Sequence, residues 1–228
     1  MPDAHKILNK AIKKGLEIDP GLHKFLNPIF NDVQGRHKFI KKCLRTLKAR
    51  RMLLRAQWYT EIAEHQSKMK YGRPALRIIF LMSMAESLAK ARTNSTLGSL
   101  AAIKAFFKFI LKQDREFMRR NFRRALLGPK ISKLRFSSII RILYEVRNQA
   151  VHGEDFFSFS LMDAEDKKEK ELGHYTHYGT ITSGDLVKYN KKTKKKNRQR
   201  VSLDISLTYT ELSEIFSRTA IENIKAIL

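Results

Sequence analysis

The chain has 228 residues, 43% hydrophobic and 10% aromatic, which is enough to bury a core and argues against disorder. Forty-six Lys+Arg against twenty-two Asp+Glu give a formal charge of +24 and a pI near 10.2, a balance that attracts polyanions, nucleic acid foremost. No apolar run approaches the roughly 18–20 residues of a membrane span, MPDAHKILNKAIKKG lacks a secretion-signal core, and the lone Cys43 excludes a disulfide framework or a Cys-based metal cluster within one chain. A cytoplasmic protein with no membrane partner is expected.

Residues 3–127 read as helix nearly throughout. Ile7, Leu8, Ile12 and Leu16 set a helical rhythm, broken at Asp19-Pro20-Gly21, where Asp19 can cap the next helix through its side-chain oxygen. One long helix is predicted from about Arg36 to Lys68. Its apolar stripe is Phe39, Ile40, Cys43, Leu44, Leu47, Leu54, Trp58 and Ile62. Lys41, Lys42, Arg45, Lys48, Arg50, Arg51 and Arg55 form the other face, either solvated or turned toward phosphates.

After the break YGRP at 71–74, the helix Ala75–Arg92 is apolar nearly all round and belongs at the centre of a bundle. Glu86 is out of place there. A carboxylate in a central helix needs a cation or several donors, and left unpaired it costs about 3–5 kcal/mol; an arginine would suit. Ser99–Lys112 is a further amphipathic helix, and REFMRRNFRRALLG continues helical to the stop at Gly128-Pro129. Phe136–Val151 follows, with Ile139, Ile140, Ile142, Leu143 and Val146 toward a core and Gly153 ending it.

The texture then changes. DAEDKKEKE (163–171) is a charged linker, while HYTHYGTI, a short segment Leu186–Tyr189 and VSLDISL have strand character, separated by a turn at TSGD and a basic loop KKTKKKNRQR at 191–200. In the last strand Val201, Leu203, Ile205 and Leu207 alternate with Ser202, Asp204 and Ser206. A terminal helix closes the chain, with Thr210 and Ser213 as candidate caps.

Phosphate-loop, dinucleotide, nucleophile-elbow and zinc-protease signatures are absent. His174 and His177, three apart on a strand, point to opposite faces and make a poor metal pair. Asp163, Glu165 and Asp166 beside Lys167 lie in a solvated charge run, and His5, His23, His37 and His65 show no partner pattern. Neither metal nor cofactor is called for. In the loop, Lys191, Lys192, Lys194, Lys195, Lys196, Arg198 and Arg200 form either a solvated tip or an arm on nucleic-acid phosphates.

Arg147, Asn148 and His152 gather within six residues of an apolar helix. At 100° per residue, Asn148 and His152 share a face while Arg147 and His152 lie about 140° apart. Aiming both at one target requires a curled arginine, a loosened helix end, or two copies facing across a two-fold axis. RNA can be cut without metal because its 2′-OH is an internal nucleophile. A histidine then moves the proton, worth about 10²–10⁴-fold, and an arginine neutralises charge on the phosphoryl oxygens. A helix C-terminus beside Glu154 and Asp155 favours the imidazolium. The alternative is structural: Arg147 pairs with Glu86, Asn148 fastens the helix end, and His152 caps carbonyls.

YEVRNQAVHGEDF resembles the R-N-x-x-x-H signature of the HEPN superfamily, helical bundles many of which are metal-independent ribonucleases of toxin–antitoxin, phage-defence and RNA-processing systems. LRIIFLMSMAESLAKA is similar to that family's central helix with its embedded Glu, and FSSIIRILYEVRN to the helix leading into the motif. The resemblance covers about Arg73–Phe157 and the final helix.

It implies Arg147 as transition-state stabiliser, His152 as proton-transfer group, Asn148 as orienting residue, Glu86 as support for Arg147, and a homodimer whose cleft uses both copies. Some family members carry H-x-Y, whose tyrosine an antitoxin modifies. Glu154 stands there in this chain, which argues against that route.

The expected fold is mainly α: a HEPN-like helical bundle with an N-terminal helical extension (1–70), a core with the motif helix (71–157), a charged linker and small antiparallel β insertion (158–208), and a C-terminal helix completing the bundle (209–228). The expected function is metal-independent endoribonuclease action in toxin or phage-defence duty, with RNA, a second copy and an antitoxin or defence-system protein as partners. The alternatives are a non-catalytic nucleic-acid-binding protein and a dimeric scaffold docking a partner through its β insertion.

Overall fold

The computed structural model describes residues 13–16, 19–66, 74–125, 131–152, 159, 161, 180–189 and 196–228. Those residues form a mainly helical domain with a small antiparallel sheet. In chain order the helices are α1 (Pro20–Leu26), α2 (Val33–Arg45), α3 (Leu47–His65), α4 (Pro74–Thr93), α5 (Ser99–Phe106), α6 (Lys112–Asn121), α7 (Phe136–His152) and α8 (Tyr209–Lys225). The strands are β1 (Phe122–Ala125), β2 (Ile131–Lys133), β3 (Thr180–Tyr189) and β4 (Lys196–Ile205), ordered β2-β1-β4-β3, all antiparallel. No helix of the described residues is long and apolar enough to cross a membrane.

Asp19 caps α1 as expected, its carboxylate accepting from the amides of Gly21 at 2.8 Å and Leu22 at 3.4 Å. The predicted long helix 36–68 is two helices. Thr46 leaves helical geometry (φ −118°, ψ 136°), ends α2, and caps α3 by accepting from the Ala49 amide at 3.3 Å. The break shifts the phase of the apolar stripe. Leu47 and Trp58, predicted inward, are 50% and 58% exposed, whereas Ala49, Met52, Leu53, Ala56, Thr60 and Ala63 face the core. Alanines seven residues apart let α3 lie close along α4, antiparallel to it. Lys48 Nζ donates to the Arg92 carbonyl at 2.9 Å, Arg55 Nη1 to Ser87 Oγ at 3.3 Å, and Thr60 Oγ1 lies 3.8 Å from Met84 Sδ.

α4 is the central helix. It touches α3, α5, α7 and α8, and Ile78, Leu81, Met82, Met84, Ala85, Leu88 and Ala89 are buried on it. The predicted helix Ser99–Lys112 is shorter: α5 stops at Phe106, a 3₁₀ turn spans Phe107–Phe109, and α6 starts at Lys112. There, Phe106, Phe107 and Phe216 pack ring against ring. α6 is fastened to α8 by Arg218, whose Nε and Nη2 donate to the two oxygens of buried Asp114 at 3.0 and 2.9 Å.

The sheet departs most from expectation. The run after α6 was predicted helical to Gly128, yet Phe122–Arg124 pair with Leu203–Ile205 and Arg123–Ala125 with Ile131–Lys133. Asn121 anchors the switch. Its carbonyl accepts from the Ser206 amide at 3.0 Å and its Oδ1 from Ser206 Oγ at 2.8 Å. T-S-G-D is not a turn either: β3 runs unbroken through it, from Thr180 opposite Ile205 to Tyr189 opposite Lys196. β3 is a sheet edge, where glycine and aspartate are tolerated because only one side must pair.

The predicted alternation in β4 holds for the core side, with Val201, Leu203, Ile205 and Leu207 all buried, but Asp204 is buried too. The β elements share the helices' core. Phe122 is fully buried and stacks on Phe159 at 6.2 Å, and Phe159 and Leu161 are themselves buried. The cap of α8 is Thr208, two residues before Thr210 and five before Ser213: its hydroxyl accepts from the Glu211 amide at 3.3 Å while Glu211 accepts from the Thr208 amide at 2.8 Å, a capping box.

Candidate functional site

Glu86 lies on the half-buried side of α4, where α5 begins and α7 passes. Its Oε1 accepts from Lys90 Nζ at 2.6 Å and from Ser99 Oγ at 2.8 Å, while Oε2 stands 3.5 Å from Arg147 Nη2. The expected arginine is therefore present, but Lys90, one turn along the same helix, is the closer cation. Burial is the largest single influence on the Glu86 carboxyl and pushes its pKa up. Hydrogen bonds from Lys90 and Ser99, with the charges of Lys90 and Arg147, together outweigh it and hold the carboxyl below its ordinary value.

Arg147 is only loosely employed. Its Nη1 donates to Oδ1 of the adjacent Asn148 at 3.1 Å, its contact to Glu86 is at the limit of hydrogen-bonding distance, and its buried Nε has no partner among the described residues. Arginine–carboxylate pairs are frequently bidentate, as Arg218 is with Asp114. Arg147 is not, although Glu86 and Asn148 fix where it stands.

α7 remains helical through His152, so backbone positions 147 and 152 keep the separation of about 140° around its axis. The helix does not loosen before His152. The side chain of His152, together with Glu154 and Asp155, lies outside the described residues. Val151, between Asn148 and His152, is 53% exposed.

Cations from another helix meet α4 at the same turn. Arg55 of α3 reaches the hydroxyl of Ser87, the residue after Glu86, while Lys90 and Arg147 are the cations on the Glu86 carboxylate itself. The exposed Trp58 sits one turn along α3 from Arg55, with Arg51 exposed on the same helix. Trp58 faces outward because the break at Thr46 rotates α3 out of the phase a single helix over 36–68 would have. Lys90 was detectable as the i+4 partner of Glu86, whereas Ser99 is brought in only by the turn after α4.

Lys191, Lys192, Lys194 and Lys195 lie outside the described residues, as do His5, His174, His177, Asp163, Glu165, Asp166 and Lys167. Lys196, Arg198 and Arg200, predicted in the loop, belong to β4 and stand opposite Tyr189, Val187 and Asp185. Pairing continues because β3 extends through its polar stretch, and alternate strand positions fall on one face of a sheet. His23 and His37 meet edge to face at 5.3 Å, and His65 Nδ1 lies 2.9 Å from the Glu61 carbonyl, both packing roles. Among the described residues no three His, Cys, Asp or Glu side chains are grouped to hold a metal ion.

The chain matches no family model, and no curated protein or solved structure is significantly similar to it.

Proposed function

We propose that this protein is a metal-independent endoribonuclease of HEPN type, acting in toxin or phage-defence duty, with Arg147, Asn148 and His152 as its site. The observation that carries this reading is the under-used arginine: Glu86 is already neutralised by Lys90, so Arg147 is held in position without being needed there for charge balance. A buried donor unsatisfied among the described residues, on a positioned cation, is an exception for which a catalytic role is one explanation. The surrounding cations and a net charge of +24 would draw RNA in.

In the proposed reaction the 2′-oxygen attacks the adjacent phosphorus while the bond from phosphorus to the 5′-oxygen breaks. The products are a 2′,3′-cyclic phosphate and a 5′-hydroxyl end. One histidine accepts the 2′-OH proton and one donates to the leaving 5′-oxygen. A homodimer supplies both and brings Arg147 of one copy toward His152 of the other, which resolves the 140° separation. Exposed Val151 offers such a contact an apolar side chain. Arg147 stabilises charge on the non-bridging oxygens, and Glu86 and Asn148 orient it. Lys191–Arg200 and the cationic face of α2 and α3 would hold the rest of the substrate.

The test is cleavage of labelled total RNA and tRNA in excess chelator by wild type and His152→Ala. Cutting by wild type alone supports the site. The Arg147–Glu86 contact also suits a non-catalytic RNA-binding protein in which that pair is structural. Absence of cutting by either protein, with salt-sensitive binding retained, selects that second reading.

A further inference from the structure

A second cationic site lies along α4 and α5. A groove of about 490 Å³ is lined by Arg92, Leu97, Ala101, Lys104, Lys108 and Phe109. Six residues separate Glu86 from Arg92, about 9 Å along α4. The groove is therefore distinct from the Arg147 contact and argued independently of it.

Arg92 is deliberately placed. Its Nε donates to Asn223 Oδ1 at 3.2 Å, and Asn223 is fully buried, its own amide donating to the carbonyls of Phe106 and Thr219. Its Nη2 reaches the Ala105 carbonyl at 3.4 Å, and the guanidinium lies 4.4 Å over the Phe109 ring. None of these partners is an anion. Burial lowers the pKa of this guanidinium, and no carboxylate opposes that.

Lys104 and Lys108, one turn apart on the α5–3₁₀ segment, have no ion-pair partner among the described residues. Among the described residues the groove thus gathers three cations and no acid, with an apolar floor of Leu97, Ala101 and Phe109. A partly desolvated cation without a counter-charge is stabilised by any anion that reaches it. The volume falls within the range of small-ligand sites.

We propose that this groove binds a nucleoside phosphate ester, its phosphate on Arg92, Lys104 and Lys108 and its nucleoside on the apolar floor. The same chemistry is offered by a free mononucleotide and by one unit of an RNA strand, and the experiment separates them. Titrations with adenosine 5′-monophosphate, inorganic phosphate and a short single-stranded oligoribonucleotide are followed by calorimetry. They use wild type, Lys104→Ala/Lys108→Ala, and a charge-matched control in which exposed Lys13 and Lys14 become Ala.

The expected result is at least about tenfold weaker binding in the Lys104/Lys108 variant, from loss of charge-assisted bonds, and less than about threefold in the control. Lys104→Arg/Lys108→Arg should retain affinity. Tight binding of the mononucleotide identifies a free nucleotide as the ligand; binding of the oligoribonucleotide alone identifies a strand. Equal weakening in the two alanine variants, affinity for inorganic phosphate matching the mononucleotide, or no binding of any probe overturns the proposal. Chelator-resistant cleavage by wild type is scored separately, so loss of this site and loss of the Arg147 reading are distinguishable.

Discussion

Replacing Arg147 by alanine separates a positioned functional arginine from a structural one. A buried ion pair broken from one side costs about 3–5 kcal/mol, because the abandoned charge has no compensation. That figure does not apply to Arg147. Glu86 keeps Lys90 at 2.6 Å and Ser99 at 2.8 Å, so no bare carboxylate is created. The lost contact is 3.5 Å long, at the limit of hydrogen-bonding distance, against 2.9 and 3.0 Å for Arg218 on Asp114, which puts it near the weak limit of about 0–1 kcal/mol. The Nε, unpartnered among the described residues, carries its own desolvation penalty of about 1–3 kcal/mol, and truncation removes that as well.

A net loss of about 1 kcal/mol or less is expected, or about 2–4 °C in Tm for a chain of this size. Arg218→Ala is the internal standard. It strands Asp114, which is 5% exposed and held by two bonds of 2.9 and 3.0 Å, so the full 3–5 kcal/mol, roughly, is expected there. Urea unfolding of both variants at neutral pH, beside the chelator-resistant cleavage assay, decides the matter. Arg147→Ala should keep most of its stability and lose cleavage. Should it prove as unstable as Arg218→Ala, Arg147 is structural and the reasoning fails.

Three further outcomes follow from the same contacts. The folded-state pKa of Glu86 lies below its unfolded value, so its ionised form contributes stability in full above the unfolded value, and that contribution is lost as pH falls through the folded value. The gap in urea midpoint between wild type and Glu86→Gln should therefore be widest at neutral pH and close in acid; a gap that widens in acid contradicts the sign. Cys43 is fully buried and its thiol is pushed up to about 12 by burial, so a thiol reagent should label it only as fast as the protein unfolds, with fast labelling in native buffer counting against the packing of α2. Thr208→Ala removes the hydroxyl half of the α8 capping box and should cost about 0.5–2 kcal/mol in thermal or urea unfolding, whereas Thr210→Ala, at the exposed position first expected to cap, should cost less.

Features written in local chemistry were readable in advance. Asp19 as a cap, α4 as the central helix and α7 over nearly its full length each depend on residues within a turn or two of one another. The errors arose where distant segments decide. Phe122–Arg124 belong to a strand because Leu203–Ile205, some eighty residues later, offer their backbone, and helical propensity in REFMRRNFRR is overruled. Thr46 is weakly helical, yet the deciding fact is that its hydroxyl can satisfy an amide at the start of α3, which rotates every later residue and turns Trp58 outward.

The Glu86 region combines both cases. A carboxylate in an apolar helix announced that cations must meet it, and Lys90 was in place four residues on. What the chain order could not reveal is that α7 approaches only to 3.5 Å, leaving the Arg147 Nε without a partner among the described residues. Had Arg147 been the only cation near Glu86, charge balance would account for both residues. Because Lys90 already provides that balance, charge balance at Glu86 does not by itself account for Arg147, and the proposed reading assigns it to a substrate phosphate.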